Sequence, residues 1–337
     1  MQLGLIGLGR MGGNMARRWL RCRHECVGYA HDPAQAEALR GDGIVPAASL
    51  AELVSLLQPP RAIWIMIPAA AVDGVIDELT PHLAAGDTLV DGGNSHFVDD
   101  VRRAAALGER GLHYLDVGVS GGIWGLDQGY CLMIGGDAAA STRLAPLFAS
   151  LAPGGSEDIP PSAGTAPHGY LHCGPSGAGH FAKMVHNGIE YGLMAAYAEG
   201  FNLLRHANTG QRATRVDAET APRTVQGAHL AYDFDLAAIA ELWRHGSVVR
   251  SWLLDITAAA LHRDPQLADF LGEVSDSGEG RWTVNTAVEA GVPVPVLATA
   301  LFARFASRDH DQFANRLLSA MRREFGGHLE RNTAPAK

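Results

Sequence analysis

From Gly177 to Tyr191 the chain reads Gly-Ala-Gly-His-Phe-Ala-Lys-Met-Val-His-Asn-Gly-Ile-Glu-Tyr. Lys183, His186, Asn187 and Glu190 recur at i, i+3, i+4 and i+7, the spacing of one helix face. Met184, Val185 and Ile189 fall elsewhere around the same helix. A lysine acts as a base only if burial or cationic neighbours make it neutral near pH 7. A glutamate acts as an acid only if desolvation or nearby negative charge raises its pKa. Seven residues separate the two, ~10 Å along a helix axis. That places a base and an acid at opposite ends of a short sugar acid, with His186 and Asn187 holding its middle. A face turned to water would carry several long charges and no His-Asn pair.

Gly7-Leu8-Gly9-Arg10-Met11-Gly12 matches the dinucleotide fingerprint G-x-G-x-x-G. Gly7 suits a tight turn, Gly9 lets backbone approach a pyrophosphate, and Gly12 permits close helix–strand packing. The helix that follows offers free N–H groups to the phosphates. The second strand ends near Tyr29-Ala30-His31-Asp32. Ala30 takes the usual acidic position, and Asp32, just beyond it, is the carboxylate placed for the ribose hydroxyls of NAD. No arginine stands there to grip a 2′-phosphate, while His31 leaves NADP open. Asp91-Gly92-Gly93-Asn94-Ser95 and Val119-Ser120-Gly121-Gly122 follow later strands, at the ligand edge of such a sheet. Asn94 suits both the nicotinamide region and a substrate hydroxyl; Ser120 and the amides of Gly121 and Gly122 suit a carboxylate or hydroxyl.

The elements that must position these groups form two patterns. Gln2–Ile6, Glu25–Ala30, Ala62–Ile67, Thr88–Asp91, His113–Val117 and Cys131–Ile134 read as strands. Asn14–Arg21, Pro33–Arg40 and Asn94–Arg110 read as helices between them. The alternation predicts parallel βαβ units in a doubly wound α/β sheet of Rossmann type, residues 1–169. Pro153–Gly169, rich in Pro, Gly and Ser, predicts a long loop closing that domain. An all-α domain follows over 170–331, with helices at Asp235–Trp243, Ser247–Ala260 and Phe313–Glu324, and a frayed tail from Asn332.

Composition narrows the class. The 337 residues suffice for two domains; 47% are hydrophobic and 19% charged, as in ordinary globular proteins. A net charge of −9 disfavours nucleic acid as a partner. The longest apolar run, Ala62–Val72, has 11 residues and contains Pro68, too short for a membrane span. The amino terminus lacks a basic segment leading into an apolar stretch, which predicts a cytoplasmic protein. Cys22 and Cys26 bracket His24, but no second ligand pair accompanies them, so no metal is expected and Cys22, Cys26, Cys131 and Cys173 read as free thiols.

Together these segments resemble the 6-phosphogluconate dehydrogenase family, from Gln2 to about His328. The glycine loop with Met11, Asp91–Ser95, Val119–Gly122 and above all Gly179–Tyr191 carry the likeness, and the length matches the family's short form. The resemblance implies oxidation of 6-phosphogluconate at carbon 3 by NAD or NADP, then decarboxylation to ribulose 5-phosphate, without a metal. It implies that Lys183 takes the carbon-3 hydroxyl proton and then, as ammonium, polarises the ketone, and that Glu190 protonates the enediol at carbon 1. Asn94, Ser120, Gly121, Gly122, His186, Asn187 and Tyr191 match substrate-holding positions, and Met66 and Pro68 lie near the nicotinamide. Arg304 falls at a phosphate-binding arginine, and Arg322 with His328 resembles a tail that in longer relatives comes from a neighbouring subunit, implying a dimer or tetramer. Ser277 and Glu279 replace the lysine and threonine phosphate contacts of the long form. Glu279 therefore either pairs with Arg281, or points away, or the phosphate is held differently.

Two other classes remain from residues alone. A β-hydroxyacid dehydrogenase or reductase would share the glycine loop and helical lysine without needing Glu190 or the Arg-to-His tail. A nucleotide-binding regulator without turnover would need the glycine loop only.

Overall fold

The computed structural model describes residues 1–155, 164–211 and 229–326. Strands β1 (Gln2–Ile6), β2 (Glu25–Tyr29), β3 (Val45–Pro46), β4 (Ala62–Ile65), β5 (Thr88–Asp91), β6 (His113–Ser120), β7 (Cys131–Gly136) and β8 (Tyr170–Gly174) form one sheet in the order β3-β2-β1-β4-β5-β6-β7-β8. Helices α1 (Arg10–Arg21), α2 (Pro33–Ala38), α3 (Leu50–Ser55), α4 (Ala69–Leu79), α5 (Phe97–Gly108), α6 (Gly125–Gln128) and α7 (Ala138–Leu151) lie between strands in the chain. After β8 come α8 (Ala178–Arg205), α9 (Leu236–Arg244), α10 (Trp252–Arg263), α11 (Glu279–Glu289), α12 (Pro295–Ala306) and α13 (Gln312–Gly326). The chain divides into two compact units, Met1–His186 and Asn187–Lys337.

Strand periodicity builds the core of the first unit. Along β1 and β4, Leu3, Leu5, Ala62 and Trp64 enter one buried cluster, with Met15 and Trp19 of α1 and Leu144, Leu147 and Phe148 of α7. Ile6, Ile63 and Ile65 enter the other, with Leu50 and Leu53 of α3 and Val72, Ile76 and Leu79 of α4. Successive side chains point to opposite faces, so a sheet covered on both sides needs continuous apolar strands. Trp19 and Trp64 meet edge-on with ring centroids 5.1 Å apart. The strand order reverses at β1, which pairs with β2 on one side and β4 on the other. That reversal opens the crevice where such sheets bind ligands.

The doubly wound expectation holds, with corrections at its far edge. β7 runs antiparallel to β6, and β8 runs parallel to β7. The β6–β7 connection of Gly121–Tyr130 is shorter than a parallel crossover requires. β3 and β8 went unread because β3 spans two residues and β8 is a largely exposed edge strand without alternation. α5 starts at Phe97 rather than Asn94, leaving Asn94 in a turn. α10 starts at Trp252 because the Ser251 hydroxyl accepts the Leu254 N–H and caps it there. Among its described residues the Pro/Gly-rich stretch holds a 3₁₀ turn at Ala166–His168, and 156–163 lie outside the described residues. In the second unit, Phe201 packs with Ala237, Ala240, Leu254 and Ala258, and Tyr191 packs with Ala300 and Leu301.

Candidate active site

The glycine loop leaves β1 with Gly7 at φ +90°, its N–H donating to the Tyr29 carbonyl at 2.9 Å. A Cβ on Gly12 would lie 1.9 Å from the Gly7 carbonyl oxygen, so α1 packs against the strand end only without a side chain there. A Cβ on Gly9 would meet nothing within 4 Å. Gly9 caps α1, whose first turn holds no acidic residue, and a diphosphate therefore finds open backbone at the positive end of a helix dipole. These residues fit a dinucleotide. Leu8 is buried in the core, Met11 packs against it, and Arg10 is exposed. Beyond β2, Ala30 is buried while His31 and Asp32 are exposed. Asp32 also caps α2, accepting the Ala34 N–H at 3.0 Å. Met66 continues from β4, its N–H on the Ile6 carbonyl at 2.7 Å, and Pro68 stands at the N-cap of α4.

After β5, Asp91 shapes the turn that carries Asn94. One carboxylate oxygen accepts the Gly93 N–H at 2.9 Å, and the other accepts the Ser95 hydroxyl at 2.6 Å. After β6, Gly121 and Gly122 take φ of +141° and +53°. Ser120 Oγ stands 3.4 Å from His186 Nε2. Lys183 sits over β6: a Cβ on Gly118 would lie 2.3 Å from the Lys183 Cβ. α8 is one continuous helix, so Lys183, His186, Asn187 and Glu190 fall within roughly 100° of arc.

A buried charged network beneath this edge was missed by the sequence reading. Asp91, Asp100, Arg103, Tyr114, Asp116 and His180 are all at most 4% exposed. His180 Nδ1 donates to Asp100 at 2.7 Å, and Tyr114 Oη lies 2.8 Å from Asp100 and 3.2 Å from Asp91. Arg103 Nη1 donates to Asp91 at 3.2 Å and lies 3.7 Å from Asp100. Asp91, Asp100 and His180 bring ligand-type atoms within 4.8 Å of one another, but the Arg103 guanidinium already supplies the cation. Burial opposes charge on His180, and the hydrogen bond and charge of Asp100 outweigh it, holding its pKa up at about 9. Burial pushes the Asp116 carboxyl up against the opposing charge of His180. Burial, with the charges of Asp91 and Asp100, holds the Tyr114 phenol well above its usual range, so it remains a donor. The available signal was an aspartate at the end of β5, Asp91, and one within the largely apolar middle of β6, Asp116.

In the second unit Asn187 and Tyr191 are buried. Asn187 Nδ2 donates to Glu279 at 3.1 Å, and the Ser277 hydroxyl donates to the other Glu279 oxygen at 2.6 Å. Arg281 does not take Glu279; it forms a two-bond pair with Asp276 at 2.6 and 3.0 Å. Glu279 is 3% exposed. Arg304 lies over the Tyr191 ring, 3.5 Å from its centroid, and donates to the Ser275 carbonyl at 2.7 Å. Tyr191 Oη accepts the Ser277 N–H at 3.4 Å. Glu190 is half-buried. Arg322 is exposed on α13, and His328 lies outside the described residues. His24, read beside Cys22 and Cys26, is engaged by Ser150 Oγ at 2.6 Å, and burial pushes the Cys26 thiol up to about 12.

Comparison with known proteins identifies the family. The profile described as the NAD binding domain of 6-phosphogluconate dehydrogenase matches residues 2–158, and that of the 6-phosphogluconate dehydrogenase C-terminal domain matches 179–217. The NAD(+)-dependent, decarboxylating 6-phosphogluconate dehydrogenase of Haloferax volcanii is 41% identical over 330 residues, covering 97% of this chain and 98% of that protein. YqeC of Bacillus subtilis is 39% identical over 328 residues, with 97% and 98% covered. The Plasmodium falciparum 6-phosphogluconate dehydrogenase structure superposes with a TM-score of 0.76 at 26% identity, over 99% of this chain and 67% of that one. This chain belongs to the 6-phosphogluconate dehydrogenase family.

Proposed function

We propose that the protein oxidises 6-phosphogluconate with NAD and decarboxylates the product to ribulose 5-phosphate and carbon dioxide. The observation that carries this reading is the unbroken α8, which keeps a lysine, a histidine, an asparagine and a glutamate on one face. The Haloferax relative, named for this activity, matches over nearly its full length.

NAD, held by the glycine loop, would supply the acceptor for the hydride of carbon 3. Lys183 takes the proton of the carbon-3 hydroxyl, so the C–H electron pair leaves while the C–O bond becomes a carbonyl. The resulting ammonium then donates to that carbonyl oxygen, drawing in the electron pair released when the C1–C2 bond breaks and carbon dioxide departs. Glu190 donates a proton to the enediol carbon that becomes carbon 1 of the pentulose. Asn94, Ser120, His186 and Asn187 hold the hydroxyls and carboxylate. Arg304, with Arg322 and His328, supplies cations for the phosphate against a net charge of −9. The glycine loop and Asp32 take the dinucleotide, with Met66 and Pro68 beside the nicotinamide. Residues 1–169 serve as the dinucleotide domain and 170–331 as the domain for substrate phosphate and self-association.

The same reading places the protein in the cytoplasm, where nicotinamide cofactors circulate and its four cysteines stay reduced. It also makes the protein a homo-oligomer, dimer or tetramer.

The test is steady-state kinetics on 6-phosphogluconate with each cofactor, following reduced cofactor and released carbon dioxide together. Equal yields with NAD are expected. Reduction without carbon dioxide would assign a β-hydroxyacid dehydrogenase instead. No turnover of any hydroxy acid, with dinucleotide still bound, would assign a regulator. Lys183→Met is expected to bind NAD and abolish turnover; turnover at the parent rate would remove Lys183 from the mechanism.

A further inference from the structure

Two features of the first unit converge on the turn of α8 that precedes Lys183. The first is steric. A Cβ on Gly179 would lie 2.4 Å from the carbonyl oxygens of Asp116 and Met133, and one on Gly135 would lie 2.5 Å from Asp116 Oδ1. With Gly118 beneath Lys183, these glycines let the helix start rest directly on the β6–β7 pair. Asp116 closes the contact: its two oxygens accept the N–H groups of Gly177 at 2.7 Å and His180 at 2.9 Å. Those are first-turn donors that no helical carbonyl satisfies.

The second is polar. Asp91 fixes the Asn94 turn through Gly93 and Ser95. Tyr114 and Arg103 bridge Asp91 to Asp100. Asp100 holds the imidazole of His180, one helical turn before Lys183. The network therefore runs from the Asn94 turn to the Lys183 turn through side chains that are buried throughout. Among the described residues His180 Nε2 has no hydrogen-bond partner, so the ring's polar tether there is the bond to Asp100.

Burying three carboxylates, a guanidinium and an imidazole is a poor way to gain stability, since desolvation offsets most of the attraction. What such a network does provide is one fixed geometry. We propose that His180 and Tyr114 are positioning residues, which hold the Lys183 turn of α8 in register with the Asn94 turn so that amine and amide address the same bound hydroxy acid. This rests on the roles given above to Lys183 and Asn94. Displacement of a reacting group by about 1 Å costs on the order of 100-fold in rate. Neither side chain touches the glycine loop in any described contact, so dinucleotide affinity should not depend on them.

The experiment compares the parent chain with Tyr114→Phe, His180→Asn and His180→Leu. It measures kcat, KM for 6-phosphogluconate, Kd for NAD, the isotope effect on kcat with substrate deuterated at carbon 3, and melting temperature. Tyr114→Phe removes one bridging oxygen, and His180→Asn keeps an N–H donor for Asp100. Expected are a kcat lower by about 10- to 100-fold, a larger isotope effect as hydride transfer becomes slower than other steps, an unchanged Kd for NAD, and a smaller loss for His180→Asn than for His180→Leu. If His180→Leu does not fold, the other two carry the comparison. Variants that lose only melting temperature, with parent kcat and isotope effect per folded site, would make the network merely structural. A fall in NAD affinity matching the fall in kcat would equally overturn the proposal. A parent that does not turn over 6-phosphogluconate would overturn the activity instead, which the same assay reads first.

Discussion

At position 279, where the family resemblance implies a phosphate-binding threonine, a carboxylate stands, and its contacts are with Asn187 and Ser277. A carboxylate only accepts hydrogen bonds, so the Asn187 nitrogen must face Glu279 and the orientation of that amide is fixed. Ser277 satisfies the second oxygen. The residue thus orients a neighbour that the family pattern assigns to substrate, and Asp276 with Arg281 forms a separate pair. Glu279→Gln preserves shape but accepts or donates, so the fixed amide is lost. The expected result is a KM for 6-phosphogluconate raised about tenfold, ~1.4 kcal/mol, with KM for NAD unchanged. A sugar-acid KM equal to the parent's would remove Glu279 from this role.

At the scale of elements, α8 matters because its start is pressed onto the sheet rather than packed beside it. The periodicity of 177–191 predicts the helix and its polar face; the depth at which it sits depends on glycines in β6 and β7 far away in sequence. Gly118→Ala tests that depth. Its methyl would clash with the Lys183 stem, so the helix must lift or the strand must give. We expect kcat to fall by about 10- to 100-fold, with dinucleotide affinity kept because Gly7, Gly9 and Gly12 are untouched. Calorimetric NAD binding beside turnover checks it, and an alanine variant with parent kcat would show that Lys183 tolerates displacement.

For the whole molecule, the exposed apolar side chains concentrate in the second unit. Val248 is 99% exposed and Leu271 95%, and Leu203, Leu242, Phe302 and Phe313 are also largely open. Chains that remain single rarely leave so much apolar surface in water, whereas obligate subunit interfaces are built from it. Light scattering on the eluting protein is therefore expected to give a dimer or tetramer at micromolar concentration. Active monomer at that concentration would sink the oligomer reading. No helix among the described residues is long and apolar enough to cross a membrane.

Sequence alone determined what is local. The fingerprint at Gly7–Gly12 is a turn whose backbone angles and steric limits reside in consecutive residues, and the face on α8 follows from helical pitch. The alternation of strands and helices was legible because a doubly covered sheet demands continuous apolar strands. Tertiary structure decided what depends on residues distant in the chain. β8 has no period of its own and is a strand only because β7 offers it an edge. Asp116 and His180 read as ordinary polar residues until β6 and α8 are brought into contact. Glu279 acquires its meaning from a helix 92 positions away. Pitch and turn geometry are properties of neighbours in sequence; charge pairing and steric fit are properties of neighbours in space.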